Sequence, residues 1–359
     1  MGSRVHCFKS AFRAQTVPLV LAALALGPVQ GAQDTAAPIV IRFSHVVAAD
    51  TPKGKGAEYF KRLVEQRSQG RIRVEVYPNS QLYKDKEELE ALQLGSVQML
   101  APSVSKFGPI GVKEFEAFDL PYLFDDYAAV HKVTRGPIGE SMLGHLKSHG
   151  MIGLSFWDNG FKEFTANTPL RRPEDFKGLK MRVKSSRVLE AQMRALGAVP
   201  QVLAFSEVYQ ALQTGVVDGA ENTPINIFTQ KLHEVQRYLL LSRHGYDAYV
   251  VVANRKFWDS LPADLRGTLE QAVDETTRYV DGLSERDESA SLEAIRASGR
   301  IRIIEMTADE RDSLRKVLQP VHRQMQGRIG RDVLESIYAA TGGDPKPAEP
   351  ARGLPAAVR

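Results

Sequence analysis

Residues 39–77 read IVIRFSHVVAADTPKGKGAEYFKRLVEQRSQGRIRVEVY, and their pattern decides the fold. Ile39 to Phe43 is a short apolar strand, and Arg71 to Tyr77 alternates apolar and polar residues as a half-buried strand does. Between them, Thr51-Pro52 is typical of a helix start and Gly70 of a helix stop. A strand, a helix and a second strand in this order predict a βαβ unit in a parallel α/β sheet.

Two later segments repeat one helix-to-strand pattern. Ala91 to Gln98 reads ALQLGSVQ and Ala211 to Asp218 reads ALQTGVVD, each a helix end, a glycine and a strand start. Ligands bind beyond the carboxyl ends of strands in open α/β sheets. We therefore expect Ser103 to Lys106 and Glu221-Asn222, which follow these segments, at one cleft shared by two lobes. Chance similarity is the alternative.

One long helix is predicted near the end of the chain. Pro262 to Ser298 is interrupted only by Gly267 and Gly282. At about 1.5 Å per residue it would reach roughly 50 Å, which is longer than one lobe is wide. The chain between the predicted signal peptide and the predicted tail has about 310 residues, and a chain of this length usually forms two lobes. Such a helix is therefore expected to brace both lobes.

The segment 1–32 is predicted to be a secretory signal peptide. Basic residues precede the apolar run Val17 to Leu26, and small residues follow it to Ala32. The run is too short to span a bilayer, and the single cysteine, Cys7, lies ahead of it. We expect a periplasmic mature chain without thiols or membrane insertion, ending in a disordered tail at 342–359.

The charge balance gives no sign of a nucleic-acid partner or of an anionic membrane. The chain carries 47 Lys and Arg against 43 Asp and Glu, and three of the basic residues fall in the predicted leader. The mature chain would then hold 44 basic and 43 acidic residues. Positive charge must therefore act locally.

The sequence contains no phosphate-binding loop, dinucleotide fingerprint, nucleophile elbow or zinc-protease motif. His145 and His149 lie one helical turn apart, but no carboxylate completes a metal site, so both are expected at the surface. We expect no enzyme activity, no cofactor and no metal. Two rivals remain: a hydrolase or lyase using Glu207 or Glu221 with His45, and a ligand-sensing module of a membrane kinase.

A short basic segment raises the question of where local positive charge acts. Lys180-Met-Arg-Val-Lys184 alternates, so a strand here would place Lys180, Arg182 and Lys184 on one face. The ordinary explanation is a solvated strand face.

Six ordered motifs run along the chain: Tyr77–Leu82, Asp119–Tyr122, Asn159-Gly160 with Lys162, Gly178–Val183, Ala204–Gly215 and Asp218–Asn222. Together they resemble the solute-binding proteins of tripartite ATP-independent periplasmic (TRAP) transporters. The similarity covers about Ile39 to Ile337. The sequences of the segments Leu82 to Glu88 and Lys184 to Glu190 are most similar to those of the C4-dicarboxylate-binding branch.

The resemblance implies a two-lobe periplasmic binding protein fold of the α/β class, with a ligand cleft between the lobes and a long helix spanning both. Lobe I is expected at 36–157 and 248–287, and lobe II at 158–247 and 288–341. The implied function is capture of a small organic acid, a C4-dicarboxylate such as succinate, malate or fumarate, by lobe closure. A monomer would deliver it to the TRAP membrane permease subunits. Keto acids, sugar acids and lactam acids are the alternative ligands.

The resemblance also implies roles for individual residues. Arg182 is the arginine of the family's G-x-K-x-R motif, the main carboxylate anchor, and its rigid fork suits two carboxylate oxygens as lysine cannot. Asn222 matches the asparagine that donates its amide to the same carboxylate. Phe205 would supply an aromatic wall, or is simply a core residue. Lys180 and Lys184 are still expected to lie mostly in solvent.

A second carboxylate must also be met when the cleft closes, because burying an unpaired charge is costly. Lys53, Lys106 and Lys162 are the candidates. Lys162 stands where the sialic-acid-binding branch carries a second arginine, and its alternative is an exposed strand-end lysine. Ser103 and His45 are candidate hydrogen-bonding groups, although His45 is equally an ordinary strand-end histidine.

Overall fold

The computed structural model describes residue 2 and residues 37–342 of the 359-residue chain. Apart from Gly2, the predicted signal peptide lies outside the described residues, as does the predicted tail beyond residue 342. In the described part, nine strands form one sheet. They are β1 (Ile39–Ser44), β2 (Ile72–Tyr77), β3 (Met99–Leu100), β4 (Met151–Ala166), β5 (Lys180–Val183), β6 (Val199–Val202), β7 (Gly219–Asn222), β8 (Tyr238–Asn254) and β9 (Arg302–Glu305).

Helices cover the sheet. The α-helices are α1 (Pro52–Arg67), α2 (Glu88–Leu94), α3 (Tyr127–Thr134), α4 (Pro137–His145), α5 (Arg187–Ala195), α6 (Val208–Gln213), α7 (Pro224–Thr229), α8 (Arg255–Ser260), α9 (Ala263–Ser298), α10 (Ala308–Leu318), α11 (Pro320–Ile329) and α12 (Arg331–Thr341). Short 3-10 segments occur at Val104–Lys106, Gly108–Ile110, Lys113–Asp119, Leu146–His149, Pro173–Phe176, Phe205–Glu207 and Leu232–Glu234. Among the described helices, none has the length and apolarity needed to cross a membrane.

The predicted βαβ unit is confirmed. β1 and β2 pair in parallel along all six residues of each strand, and α1 joins them. The Thr51 side chain accepts a hydrogen bond from the backbone N–H of Gly54, and Pro52 is the first helical residue. The helix ends at Arg67, slightly before Gly70, where the sequence pattern places its stop.

The sheet runs in the order β2-β1-β3-β8-β4-β7-β5-β6, and β9 also pairs with β8. Its two ends are parallel: β1 pairs with β2 and β3, and β5 pairs with β6 and β7. In the middle, β4 and β8 have 16 and 17 residues and run antiparallel to each other. The predicted parallel strands thus form the ends of the sheet, while the sequence pattern does not predict the antiparallel centre.

The central pair is irregular. The β4–β8 register shifts after Gly153, after Asp158 and after Lys162. Gly160 lies between the second and third shifts. Its φ of 129° is a backbone conformation that residues with a side chain rarely adopt. Bulges bend strands and increase their twist. The segment of β4 with these shifts is therefore distorted, and it lies between the two parallel ends of the sheet.

The predicted long helix is confirmed as α9, whose 36 residues correspond to roughly 50 Å. Val280 of α9 packs in the apolar cluster built on β1 and β2, whereas Ile295 packs in the cluster that contains Ala220 of β7. A Cβ atom at Gly56 of α1 would lie 2.3 Å from Val280 Cγ2, so α1 and α9 are in very close contact. The helix therefore contacts both ends of the sheet. The chain from Pro38 onward forms one compact unit, and the lobe bounds stay a prediction.

Both predicted helix-to-strand segments are confirmed. α2 ends at Gly95, with a φ of 82°, before β3, and Gly215, with a φ of 72°, separates α6 from β7. Glycine is favoured at both positions because the left-handed conformation strains other residues. β3 and β7 flank the central pair from opposite sides. Ser103, just after β3, and Asn222, the last residue of β7, are both brought to one cavity.

Candidate functional site

A cavity of about 330 Å³, counted with the space open to solvent, receives residues from both ends of the sheet. Its lining consists of Val46, Val47, Lys53, Asp85, Glu88, Ser103, Lys106, Arg182, Lys184, Phe205, Asn222, Asn226, Asp247 and Tyr249.

The lining contains more cationic than acidic residues. Four are cationic and three acidic: Lys53, Lys106, Arg182 and Lys184 against Asp85, Glu88 and Asp247. Two ion pairs form inside the lining. Lys106 Nζ lies 2.5 Å from Asp85 Oδ2, and Lys184 Nζ lies 2.6 Å from Asp247 Oδ2. Among the described residues, Lys53, Arg182 and Glu88 have no ion-pair partner within 4 Å.

The two acidic residues of these pairs are held in their charged form. Burial alone would raise the pKa of Asp247, but the charges of Lys184 and Lys162 and a hydrogen bond from Ser103 Oγ hold that pKa below its ordinary value. Burial acts in the same direction on Asp85, and Lys106 and Arg182 again lower its pKa overall. The formal charges of each pair cancel, so the two pairs add no net charge to the cavity.

Arg182 lies in β5 and is only 1% exposed. Its Nε and Nη2 atoms both donate to the carbonyl oxygen of Leu203, at 3.2 and 2.9 Å. Its Nη1 atom is buried and has no hydrogen-bond partner. Burial lowers the pKa of this guanidinium, whereas the negative charges of Asp85 and Glu221 raise it. One edge of the guanidinium is thus held by the backbone, and a buried donor remains for an anion.

Lys53 belongs to the first turn of α1 and is also 1% exposed. Its Nζ donates to the carbonyl oxygen of Ala101 at 2.9 Å and lies 3.6 Å from the centre of the Tyr249 ring. Burial lowers the pKa of Lys53 to about 8, although the neighbouring Glu88 acts against this. An anion in the cavity would stabilise the charged form further.

Asn222 is oriented by its neighbours. Its side-chain oxygen accepts hydrogen bonds from the Thr223 backbone N–H at 2.9 Å and from Asn226 Nδ2 at 3.0 Å. Within the described part of the chain, its own Nδ2 has no acceptor. An acceptor inside the cavity would satisfy this group.

Six of the eight predicted ligand residues line the cavity: Arg182, Asn222, Phe205, Lys53, Lys106 and Ser103. The other two, Lys162 and His45, are fully buried but are not part of its lining. The Lys162 Nζ atom lies 3.0 Å from Glu221 Oε2 and 3.4 Å from Asp119 Oδ1. The alternative of an exposed lysine at 162 is therefore wrong.

His45 immediately follows β1, and neither of its ring nitrogens has a hydrogen-bond partner in the described chain. Burial, together with the charge of Lys53, lowers its pKa to about 3. The ring is therefore neutral at physiological pH. Its alternative, an ordinary strand-end histidine, agrees with its position in the chain.

The solvated interpretation is confirmed for Lys180, which is exposed, and is wrong for Lys184, which is 5% exposed. Lys184 is buried because Asp247 of β8 lies opposite it. Sequence reasoning also missed Asp85, Glu88, Asn226, Asp247 and Tyr249 as lining residues. Asp85 and Glu88 lie within the segment 82–88 that carried part of the family resemblance, so a signal existed for them. None was available for Asp247 and Tyr249, because β8 was not recognised.

A separate polar cluster joins His131, Asp158 and Asp281, whose potential metal-binding atoms lie within 4.8 Å of one another. Their polar atoms are already engaged. His131 Nε2 is 2.6 Å from Asp158 Oδ2, Arg135 donates to Asp281 at 2.7 Å, and Tyr246 donates to Asp158 at 2.6 Å. Because Arg135, which is exposed, already binds Asp281, the arrangement is that of a partly exposed polar network.

The fold and the site define a binding protein of the α/β class, whose cavity is lined by residues from both ends of the sheet and contains buried cations without ion-pair partners. Comparison with known proteins agrees. Residues 43–328 match the family model described as bacterial extracellular solute-binding protein, family 7, and this chain belongs to that family. The predicted family and the two-lobe fold class are thereby confirmed.

Individual relatives are similar over most of their length. The chain is 60% identical to the C4-dicarboxylate-binding periplasmic protein DctP of Rhodobacter capsulatus, over 85% of this chain and 92% of that protein. Its structure is similar to a TRAP periplasmic solute-binding protein from Shewanella oneidensis with bound succinate, with a TM-score of 0.83, 44% identity and coverage of 85% of this chain and 100% of the other. A Pseudomonas aeruginosa protein with bound L-malate gives a TM-score of 0.78 and 42% identity, with coverage of 80% and 100%.

Proposed function

We propose that this chain is the solute-binding protein of a TRAP transporter and that its ligand is a C4-dicarboxylate such as succinate, L-malate or fumarate. The observation that carries the proposal is the pair Lys53 and Arg182. Both line the same cavity, both are buried, and neither has an acidic partner among the described residues. Two buried cations without partners are matched by a ligand with two carboxylates.

The roles of the lining follow from its free donors. Arg182 Nη1 and Asn222 Nδ2 bind one carboxylate, and Lys53 binds the other. Phe205, whose ring centre is 5.9 Å from Arg182 Cζ, and Tyr249 enclose the carbon chain. These assignments are supported by geometry and by the ligands of the relatives.

The remaining predicted residues act indirectly. Lys106 and Ser103 hold the ionised Asp85 and Asp247 in place. Lys162 and His45, which are buried and are not part of the lining, support the surrounding structure rather than contact the ligand.

A thermal-unfolding screen tests the ligand. Binding at a hundredfold excess over the dissociation constant adds about 2.7 kcal/mol to stability, so the melting temperature rises clearly. We expect succinate, L-malate and fumarate to give the largest shifts. Solved structures at 31% identity with galactonate and at 29% identity with orotic acid make sugar acids and cyclic acids suitable competitors in the panel. A response to monocarboxylates alone would refute the dicarboxylate assignment and leave the transport role standing.

Capture by closure is the proposed mechanism. A dicarboxylate that bridges Lys53 of α1 and Arg182 of β5 links elements from opposite ends of the sheet, so it binds best when those ends are close. Small-angle scattering with and without succinate measures this. An unchanged radius of gyration would contradict closure.

The partner of the ligand-bound chain is proposed to be the TRAP permease, and the chain itself a periplasmic monomer. Succinate uptake by permease-containing vesicles is expected to require this chain and an ion gradient but no ATP.

Light scattering of the purified chain checks the monomer, and the N-terminal sequence of exported protein checks cleavage after about residue 32. We also propose that no chemistry occurs, so bound succinate should be recovered unchanged.

A further inference from the structure

Glu88, the first residue of α2, is an unusual member of the cavity lining. It is 1% exposed, and both of its carboxylate oxygens are buried without a hydrogen-bond partner. The other two acids of the lining, Asp85 and Asp247, each have a lysine within 2.6 Å. A buried carboxylate without a donor is costly as an anion and much less costly as a neutral acid.

Charged groups from several elements surround Glu88. Lys53 of α1 and Lys106 after β3 favour its ionised form, whereas Asp85, just before α2, favours the neutral form. Tyr249 of β8 also interacts with it electrostatically. Arg182, Lys184 and Asp247 complete the charged lining.

The charge of the occupied cavity depends on Glu88. The pairs Lys106–Asp85 and Lys184–Asp247 each cancel, which leaves Lys53, Arg182 and Glu88. With a dicarboxylate bound, the two cations balance the two ligand charges. An ionised Glu88 would then add one uncompensated negative charge to a buried site, and a neutral Glu88 would leave the site balanced.

Building on the proposed function, we propose that Glu88 is a neutral carboxylic acid whenever a dicarboxylate occupies the cavity, so that the ligand enters together with one proton on this side chain. The proton comes from water or buffer when the unliganded Glu88 is ionised. The neutral group then offers an O–H donor to an acceptor in the cavity, which a carboxylate cannot do.

The local electrostatics support this. Burial raises the pKa of Glu88 to about 8, even with Lys53 nearby. A bound dianion raises that pKa further because it disfavours another negative charge. Protonation is thus strengthened by the ligand.

Carbon-13 NMR of the full chain labelled at the glutamate carboxyl carbons tests the proposal at about pH 9, one unit above the pKa of the unliganded group. Adding saturating succinate is expected to move one carboxyl signal from the ionised to the protonated position. Only glutamate carbons are observed, so titration of Lys53 does not interfere. The signal should be absent in Glu88→Gln and present in Glu90→Gln, an exposed position on the same helix.

The outcomes are distinct. If succinate binds and the Glu88 signal stays at the ionised position, this inference is overturned while the proposed function stands. If no dicarboxylate binds, the proposed function fails and the inference fails with it. Should Glu88→Gln not fold, sequential assignment of the wild-type spectrum identifies the same signal and leaves both outcomes measurable.

Discussion

Arg182 and Leu203 are joined by two hydrogen bonds: the Nε and Nη2 atoms of the arginine both donate to the one carbonyl oxygen. This fixes the plane of the guanidinium and leaves Nη1 as its buried donor without a partner. The backbone carbonyl of Leu203 therefore positions the arginine before any ligand arrives. Part of the ordering cost of binding is met in advance.

Arg182→Lys should weaken dicarboxylate binding as much as Arg182→Ala does, because one ammonium group cannot hold the Leu203 carbonyl and also present a fixed donor to the ligand. We expect affinity to fall by at least about 30-fold, equivalent to about 2 kcal/mol. Isothermal titration measures this. Lys180→Ala, an exposed cation of the same strand, is the control and should bind normally. Near-wild-type affinity in both Arg182 variants would remove the basis of the proposed site.

Asn222→Asp should weaken binding more than Asn222→Ala. The alanine variant loses one hydrogen bond to a charged group, about 1.5–3 kcal/mol. The aspartate variant loses it and also places a negative charge beside the ligand. The ratio of the two dissociation constants is the readout, and Asn79→Asp, exposed and outside the lining, controls for the added charge. Equal losses in both variants would mean that Asn222 does not face the acid.

Lys162→Met should mainly destabilise the fold. The lysine is fully buried between Glu221 and Asp119, whose charges raise its pKa against the effect of burial. Its removal leaves buried carboxylates uncompensated, at a cost of about 3–5 kcal/mol. Urea unfolding checks this, with the exposed Lys177→Met as control. A variant of normal stability that no longer binds succinate would instead identify Lys162 as a ligand contact, as the sequence analysis expected.

His45 should make the protein less stable in mild acid. Its pKa is lowered to about 3 in the fold, against about 6.5 in an unfolded chain. The unfolded state therefore binds more protons below about pH 6.5, so stability falls from there towards pH 3. By about pH 4.5 this contributes a loss of about 2–3 kcal/mol, which His45→Gln should remove.

Unfolding of wild type and His45→Gln across this range isolates the histidine, because other titrating groups are common to both. Glu88 and Glu163, with pKa values raised to about 8, act oppositely and add stability as the pH falls from 8 towards their unfolded values. His149→Gln, outside the cavity lining, is the matched control. Parallel curves for wild type and His45→Gln would show that His45 is not buried in its neutral form.

The parts of the fold that sequence predicts are those set by neighbouring residues. β1, α1 and β2 follow from alternation, from the Thr51 cap and from Pro52. Gly95 and Gly215 predict two helix ends, because the backbone is left-handed at both positions and glycine adopts that conformation without strain. α9 follows from a long stretch without breakers. Each signal acts within a few residues, where propensity and capping are strong.

The antiparallel centre was missed for a physical reason. The last part of β4 buries polar residues such as Asp158, Lys162 and Glu163, so its pattern is not that of an apolar or alternating strand. These residues are buried because partners distant in sequence satisfy them. The same holds for Lys184, whose partner Asp247 is known only once β8 is placed beside it.

The contacts of α9 have a mechanical consequence. One continuous rod of roughly 50 Å touches the cluster on β1 and β2 through Val280 and the cluster near β7 through Ile295. Such a rod cannot remain straight while those regions change their mutual angle. Any rotation of one against the other must either flex the rod or slide it over one cluster, so α9 adds its own resistance to that of the central strands β4 and β8.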